Sequence, residues 1–458
     1  MGWRLRRVSE PELEPDLQQQ SAPTAPPGPV LPISSPRPPL SAQVGWTGVG
    51  NVGYAAFQWG MLIALTKLVE PAAVGQFGLG LAISVPVFMF TNLQLRSLQA
   101  TRVSQRFQFG DYLGLRIVSS LAALATIGVS VAVVGYRMQT ALVVLAVALA
   151  KSLESIADTV YGHLQHHERM DRIAISMLLK GALSLVGLAA VIWATRSVFL
   201  GALAMAFASL VVLFAYDIPT AAGVSIRSGE ARTRREAATP RFRRSEATAI
   251  ARLGLPLGVA SLLLALAANI PRYVLERSHG ESALGYFAAL AHPTAAFSIV
   301  VSAFGQAATP RLAEFYRTNR AAFRKTVLSL CAVPIVAASA ASAVVALLGP
   351  RLLTILYRAE YAPYFDAFLL LLASGAVWSL ASVLGFAVTA ARRLVGQAPI
   401  SLFVGAVAAA LSLAVIPVYG VRGACMVSLA TGAVSVVAYL ALLLWRPARV
   451  TPRAAVIP

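Results

Sequence analysis

Six ionisable residues stand in stretches that are otherwise apolar. Lys151, Glu154 and Asp158 share the segment AKSLESIADT at i, i+3 and i+7, so on a helix all three project from one face. Lys180 follows in MLLKGALS, Arg96 in TNLQLRSLQATR and Arg272 in NIPRY, directly behind Pro271. A charge held at the depth of a bilayer is costly, so each such residue needs a partner, a water-filled cavity or a function. The four cations, outnumbering the two carboxylates, suit an ionic substrate of negative charge. Glu154 and Asp158 suit a coupling proton or sodium ion. Plainer readings stand beside these. Glu154 and Lys180 should sit level on adjacent antiparallel helices and neutralise each other. Arg96, with Asn92 and Gln99 on one helical stripe, and Arg272, near a helix end, can snorkel to headgroups.

Other chemistry is missing. The chain has no phosphate-cradling glycine loop, no nucleophile signature and no ligand constellation, so no catalytic residue, cofactor or metal site is expected and the protein is not read as an enzyme. His163, His166 and His167 in YGHLQHHERMDR read as a solvated helix end rather than a metal site. Cys331 and Cys425 are isolated in apolar segments, which indicates neither a disulfide nor zinc.

The elements that must position these charges follow from composition. Hydrophobic residues make up 57% of the 458 and charged residues 12%, the signature of an all-α polytopic membrane protein. Twelve transmembrane helices can be marked, centred near Trp59, Val87, Ala125, Leu149, Leu185, Leu210, Leu264, Ser298, Ala338, Ala376, Val407 and Ser435. Lys151 then lies roughly 15 Å deep. The net charge of +19 does not imply nucleic acid, since the arginines cluster in short loops. Sorted by parity, roughly 27 positive residues fall on the side of the termini, Arg102, Arg106 and Arg116 among them, against about seven opposite. Both termini are therefore expected in the cytoplasm.

Residues 1–43 are proline-rich and polar and predict a disordered cytoplasmic tail. Two six-helix lobes, 44–219 and 252–446, flank a basic cytoplasmic linker at 220–251, and a short cytoplasmic tail covers 447–458. Ala73-Val74-Gly75-Gln76-Phe77 and Ala283-Leu284-Gly285-Tyr286-Phe287 share a pattern at an offset of 210, each opening the second span of its lobe. That predicts a duplicated unit with parallel pseudo-symmetry, an architecture for alternating access.

The run from Gly50 to Arg102, with TNLQLR, and the run from Gly254 to Tyr316, with NIPRY, ALGYF and GQAATPRLAEFY, resemble oligosaccharide flippases of the polysaccharide biosynthesis type. These belong to the multidrug/oligosaccharidyl-lipid/polysaccharide exporter superfamily. The resemblance implies a V-shaped pair of lobes around a cationic cavity, moving a polyprenyl-diphosphate-linked oligosaccharide across the bacterial inner membrane for O-antigen, capsule or exopolysaccharide assembly. Membrane lipids and polysaccharide polymerase machinery are the implied partners. It also implies that Arg96 and Arg272, at matching motif positions, face the diphosphate; Lys151 and Lys180 join them by depth. The rival within the superfamily is a small-molecule exporter of the multidrug and toxin extrusion type, which should favour carboxylates in its cavity.

Overall fold

The computed structural model describes residues 39–100, 107–391, 393 and 396–444. The predicted tails at 1–43, up to residue 38, and at 447–458 lie outside them. The described chain is helical, with no strand. The first half runs α1 (Leu40–Leu68), α2 (Pro71–Thr91), α3 (Leu95–Ala100), α4 (Phe109–Val134), α5 (Met138–His166), α6 (Met170–Thr195) and α7 (Val198–Val212). A π-helical turn, Leu213–Asp217, then leads into α8 (Ile218–Arg227) and α9 (Arg234–Ala238). The second half runs α10 (Arg244–Ala291), α11 (Thr294–Thr318), α12 (Arg320–Leu348), α13 (Pro350–Leu356), a 3-10 turn at Ala359–Tyr364, α14 (Phe365–Ala390) and α15 (Gln397–Leu444).

Nine helices among the described residues are long and apolar enough to cross a membrane. Two of them, α10 and α15, hold 48 residues each, more than twice the roughly 20 that one pass needs. Both are interrupted by a glycine at positive φ, Gly280 at 79° and Gly420 at 56°. The bundle shows apolar side chains to its surroundings, among them Val133, Phe207, Leu347 and Leu413, as a helix does when lipid is its solvent.

The predicted stripe of Asn92, Arg96 and Gln99 on one continuous helix is not what forms. The helix stops at Thr91, and Leu93 and Gln94 adopt left-handed φ of 48° and 50°. Each such non-glycine conformation costs about 1–2 kcal/mol. The break turns α3 against α5 and aims Arg96 at Asp158. The basic stretch 220–251 is not slack either. Arg241 N donates to Gly110 O at 2.8 Å, and Arg243 grips Asp111 with Nε at 3.0 Å and NH2 at 2.7 Å, a bidentate pair that fixes the start of α10 to the start of α4.

α2 and α10 form the most extensive helix pair. A Cβ on Gly75 would lie 1.8 Å from Glu281 O, and a Cβ on Gly285 would lie 2.0 Å from Pro71 O. Both separations, 281 from 71 and 285 from 75, equal the offset of 210 between the two sequence patterns. The repeated glycines thus meet reciprocally, as a pseudo-two-fold relation requires, and only a residue without Cβ lets the backbones approach so closely. Nearby, Lys67 Nζ donates to Thr354 O at 3.0 Å, Arg358 NH1 to Val69 O at 3.2 Å and Gln76 Nε2 to Glu281 Oε2 at 2.9 Å. These bonds latch the two halves together at the helix ends remote from the termini.

Candidate functional site

Five of the six residues singled out in sequence gather in one cavity of about 280 Å³ among α1, α2, α3, α5 and α6. The i, i+3 spacing on α5 brings Lys151 Nζ to 2.8 Å from Glu154 Oε2, and the Tyr54 hydroxyl of α1 donates to Glu154 Oε1 at 3.0 Å. One turn further along α5, Asp158 Oδ1 accepts from Arg96 NH1 at 3.1 Å, while Arg96 Nε donates to Gln165 Oε1 at 3.0 Å.

Glu154 and Lys180 do not pair directly. Tyr54 stands between them: its hydroxyl serves Glu154 and its ring faces the Lys180 ammonium at 5.5 Å. The cause is packing, since α6 lies along α1 far more than along α5. Lys180 is buried, donates to Tyr161 OH at 3.1 Å and lies 5.1 Å from that ring, and it has no ion pair among the described residues. Two aromatic faces and a phenol hold a cation without cancelling its charge.

Two members of this cluster were missed in sequence. Arg116, counted there among loop residues, is wholly buried inside α4. Its Nε donates to Thr159 Oγ1 at 2.7 Å and its NH1 to Ser155 Oγ at 3.2 Å and to Asn92, and NH2 lies 3.9 Å from Asp158 Oδ2. The available signal was a lone arginine well inside an apolar helix and followed by Ser119 and Ser120, but its place near the predicted span end hid it. Asp217, fully buried at the end of the π-helical turn, lies within electrostatic reach of Lys180. Four cations, Arg96, Arg116, Lys151 and Lys180, therefore face three carboxylates, Glu154, Asp158 and Asp217.

Arg272 lies elsewhere, in a cavity of about 450 Å³ bounded by α10, α14 and α15. The lining includes Pro271, His292, Ser374, Trp378, Thr431 and Tyr439, and among the described residues it contains no aspartate or glutamate. Arg272 NH1 donates to Asn269 Oδ1 at 3.0 Å, Asn269 Nδ2 donates to Ala265 O at 2.8 Å, and Arg272 Nε is buried without a hydrogen-bond partner. The guanidinium thus turns back along α10 into the cavity instead of reaching for a headgroup. Tyr273, next in the motif, donates to Ala82 O of α2 at 2.5 Å and anchors the helix. α10 stays helical through Pro271 and breaks only at Gly280. His292, on the wall of this cavity, lies within electrostatic reach of both Arg272 and Lys151.

Residues 40–316 match the model of a family described as polysaccharide biosynthesis protein. The chain belongs to this family. Its similarity extends to the capsular polysaccharide biosynthesis protein CapF of Staphylococcus aureus, 25% identical over 338 residues, covering 73% of this chain and 81% of that relative. Among solved structures, the fold is similar to an inward-facing multidrug resistance MATE family transporter of the MOP superfamily, with a TM-score of 0.60, 17% identity, and coverage of 86% of this chain and 93% of that one. It is also similar to the eukaryotic MATE transporter AtDTX14, with a TM-score of 0.64 at 11% identity, covering 89% and 96% respectively. This polysaccharide biosynthesis protein has a multi-pass helical membrane fold like that of the MOP superfamily transporters.

Proposed function

We propose that the protein is a flippase for a polyprenyl-diphosphate-linked oligosaccharide, working by alternating access across a bacterial inner membrane with both termini in the cytoplasm. The observation that carries this reading is a pair of cations, Lys180 and Arg272, each lining a cavity without an ion pair among the described residues. A diphosphate cannot enter about 30 Å of hydrocarbon unaided, whereas its polyprenyl tail is at home there. Cavities lined by cations outside any ion pair accept the head group while the tail stays in lipid. Lys151 and Arg96, already engaged by Glu154 and Asp158, can exchange those partners for phosphate oxygens as the head group passes. Release on the far side then requires the latches at Lys67, Gln76 and Arg358 to open, so the substrate must favour the open state more than the closed one.

Coupling to a proton or sodium gradient belongs to the same proposal, with Glu154 and Asp158 as the responsive carboxylates. The multidrug-type reading is less favoured, since among the described residues the Arg272 cavity has no carboxylate to receive a cationic drug. The test is transport in proteoliposomes, using a labelled polyprenyl-diphosphate oligosaccharide and, in parallel, a cationic dye. Translocation of the lipid-linked sugar with no dye movement is expected; dye movement alone would sink the reading. Glu154→Gln and Asp158→Asn should blunt the response to an imposed ion gradient.

A further inference from the structure

The end of α5 nearest the termini carries a second cluster, independent of what is transported. His163 and His167 stand at i and i+4, a spacing that puts two imidazoles on one helical face. Sequence alone made this a solvated helix end, but His163 is buried, beneath the Phe109 ring at 4.6 Å. A third donor comes from the chain beyond α8. Glu230 N donates to Ser225 O at 2.9 Å and Gly229 N to Ile226 O at 3.2 Å, the two bonds of a Schellman turn, which folds Glu230 back over α5.

His167 Nε2 lies 3.4 Å from Glu230 Oε1, and one donor atom from each of His163, His167 and Glu230 falls within 4.8 Å of the other two. The second nitrogen of His167 is 3.0 Å from His163 O. Donation of Nδ1–H to that carbonyl leaves the Nε2 lone pair facing Glu230, the arrangement by which a backbone carbonyl orients a metal-ligating imidazole. His163 is oriented in turn by Ser225 Oγ, 2.9 Å from its Nε2. Two imidazoles and one carboxylate form a borderline donor set that suits zinc and not magnesium or calcium.

We propose that His163, His167 and Glu230 bind one zinc ion. Bonds of about 2.0–2.1 Å draw the three donors closer together and leave a fourth position for water. The ion ties the end of α5 to the segment joining α8 and α9, next to a cavity of about 320 Å³ that Arg241 and Glu236 also line.

The test uses full-length protein purified in detergent on a tag without histidine, stripped with a chelator and titrated with cobalt as a spectroscopic probe. One saturable site with visible absorption is expected, displaced by zinc and indifferent to magnesium, and zinc should raise the melting temperature. His167→Ala and Glu230→Gln, at partly buried and exposed positions, should each weaken cobalt binding about tenfold or more while the protein stays monodisperse. His279→Ala, at the opposite end of the bundle, should leave the titration unchanged. Absence of a saturable cobalt site, or an unaltered titration in His163→Ala and His167→Ala, would mean that the cluster is an ion pair and hydrogen bonds only, and would overturn the proposal.

Discussion

The two cavities hold their arginines in opposite ways. Arg116, behind the first cavity, is enclosed by Asn92, Ser155, Thr159 and Asp158, so its charge is spent on holding α2, α4 and α5 in register. Among the described residues, Arg272 has a single side-chain hydrogen-bond partner, Asn269, and no carboxylate in its cavity. A buried ion held by several donors and acceptors is structural, and removing it leaves those groups unpaired. One held by a neutral amide at the edge of a void keeps its attraction for an anion. Lys180 sits between these cases, cradled by aromatic rings that retain it without neutralising it.

The same substitution should therefore act in opposite senses at the two sites. Arg116→Met is expected to cost about 3 kcal/mol of stability, because Thr159, Ser155 and Asn92 lose a common donor inside the bundle; thermal melting in detergent and the amount of protein in the membrane would register it. Arg272→Met is expected to leave melting unchanged or raise it, while transport of a lipid-linked oligosaccharide falls about tenfold, equivalent to roughly 1.4 kcal/mol. A melting loss at Arg272 as large as at Arg116 would erase the distinction. Asn269→Ala removes the one hydrogen bond that aims Arg272, worth about 1 kcal/mol, and should reduce transport several-fold with little change in melting. Lys67→Ala, at an exposed latch, should shift stability by no more than about 0.5 kcal/mol, as a melting curve would show.

Much of the fold was legible because apolar runs and arginine-rich loops are one-dimensional signals. The offset of 210 between the glycine patterns was also visible, and Gly75 against Glu281 gives it a physical reason. Helical periodicity made the shared face of Lys151, Glu154 and Asp158 legible, and in the structure these three share a cavity with Lys180 and Arg96. Their pairing was not readable, because it depends on Tyr54, which comes from a helix about 100 residues earlier and separates Glu154 from Lys180. Arg96 was found, yet its route was not: the left-handed residues Leu93 and Gln94 leave no periodic trace. Arg116 was misplaced because a cation near a predicted span boundary looks like a loop residue until its partners on α2 and α5 are known. Arg272 was assigned to a cavity through its motif, while the lack of a carboxylate among the described residues lining that cavity emerges only when α14 and α15 are folded against α10.

The central claim is that Lys180 and Arg272 present positive charge held in no ion pair among the described residues, and equilibrium binding of polyprenyl diphosphate tests it most directly. Wild-type protein should bind the diphosphate at least tenfold more tightly than Lys180→Met and than Arg272→Met, with both variants monodisperse and melting no lower than the wild type. Undiminished affinity in the two variants would contradict the account.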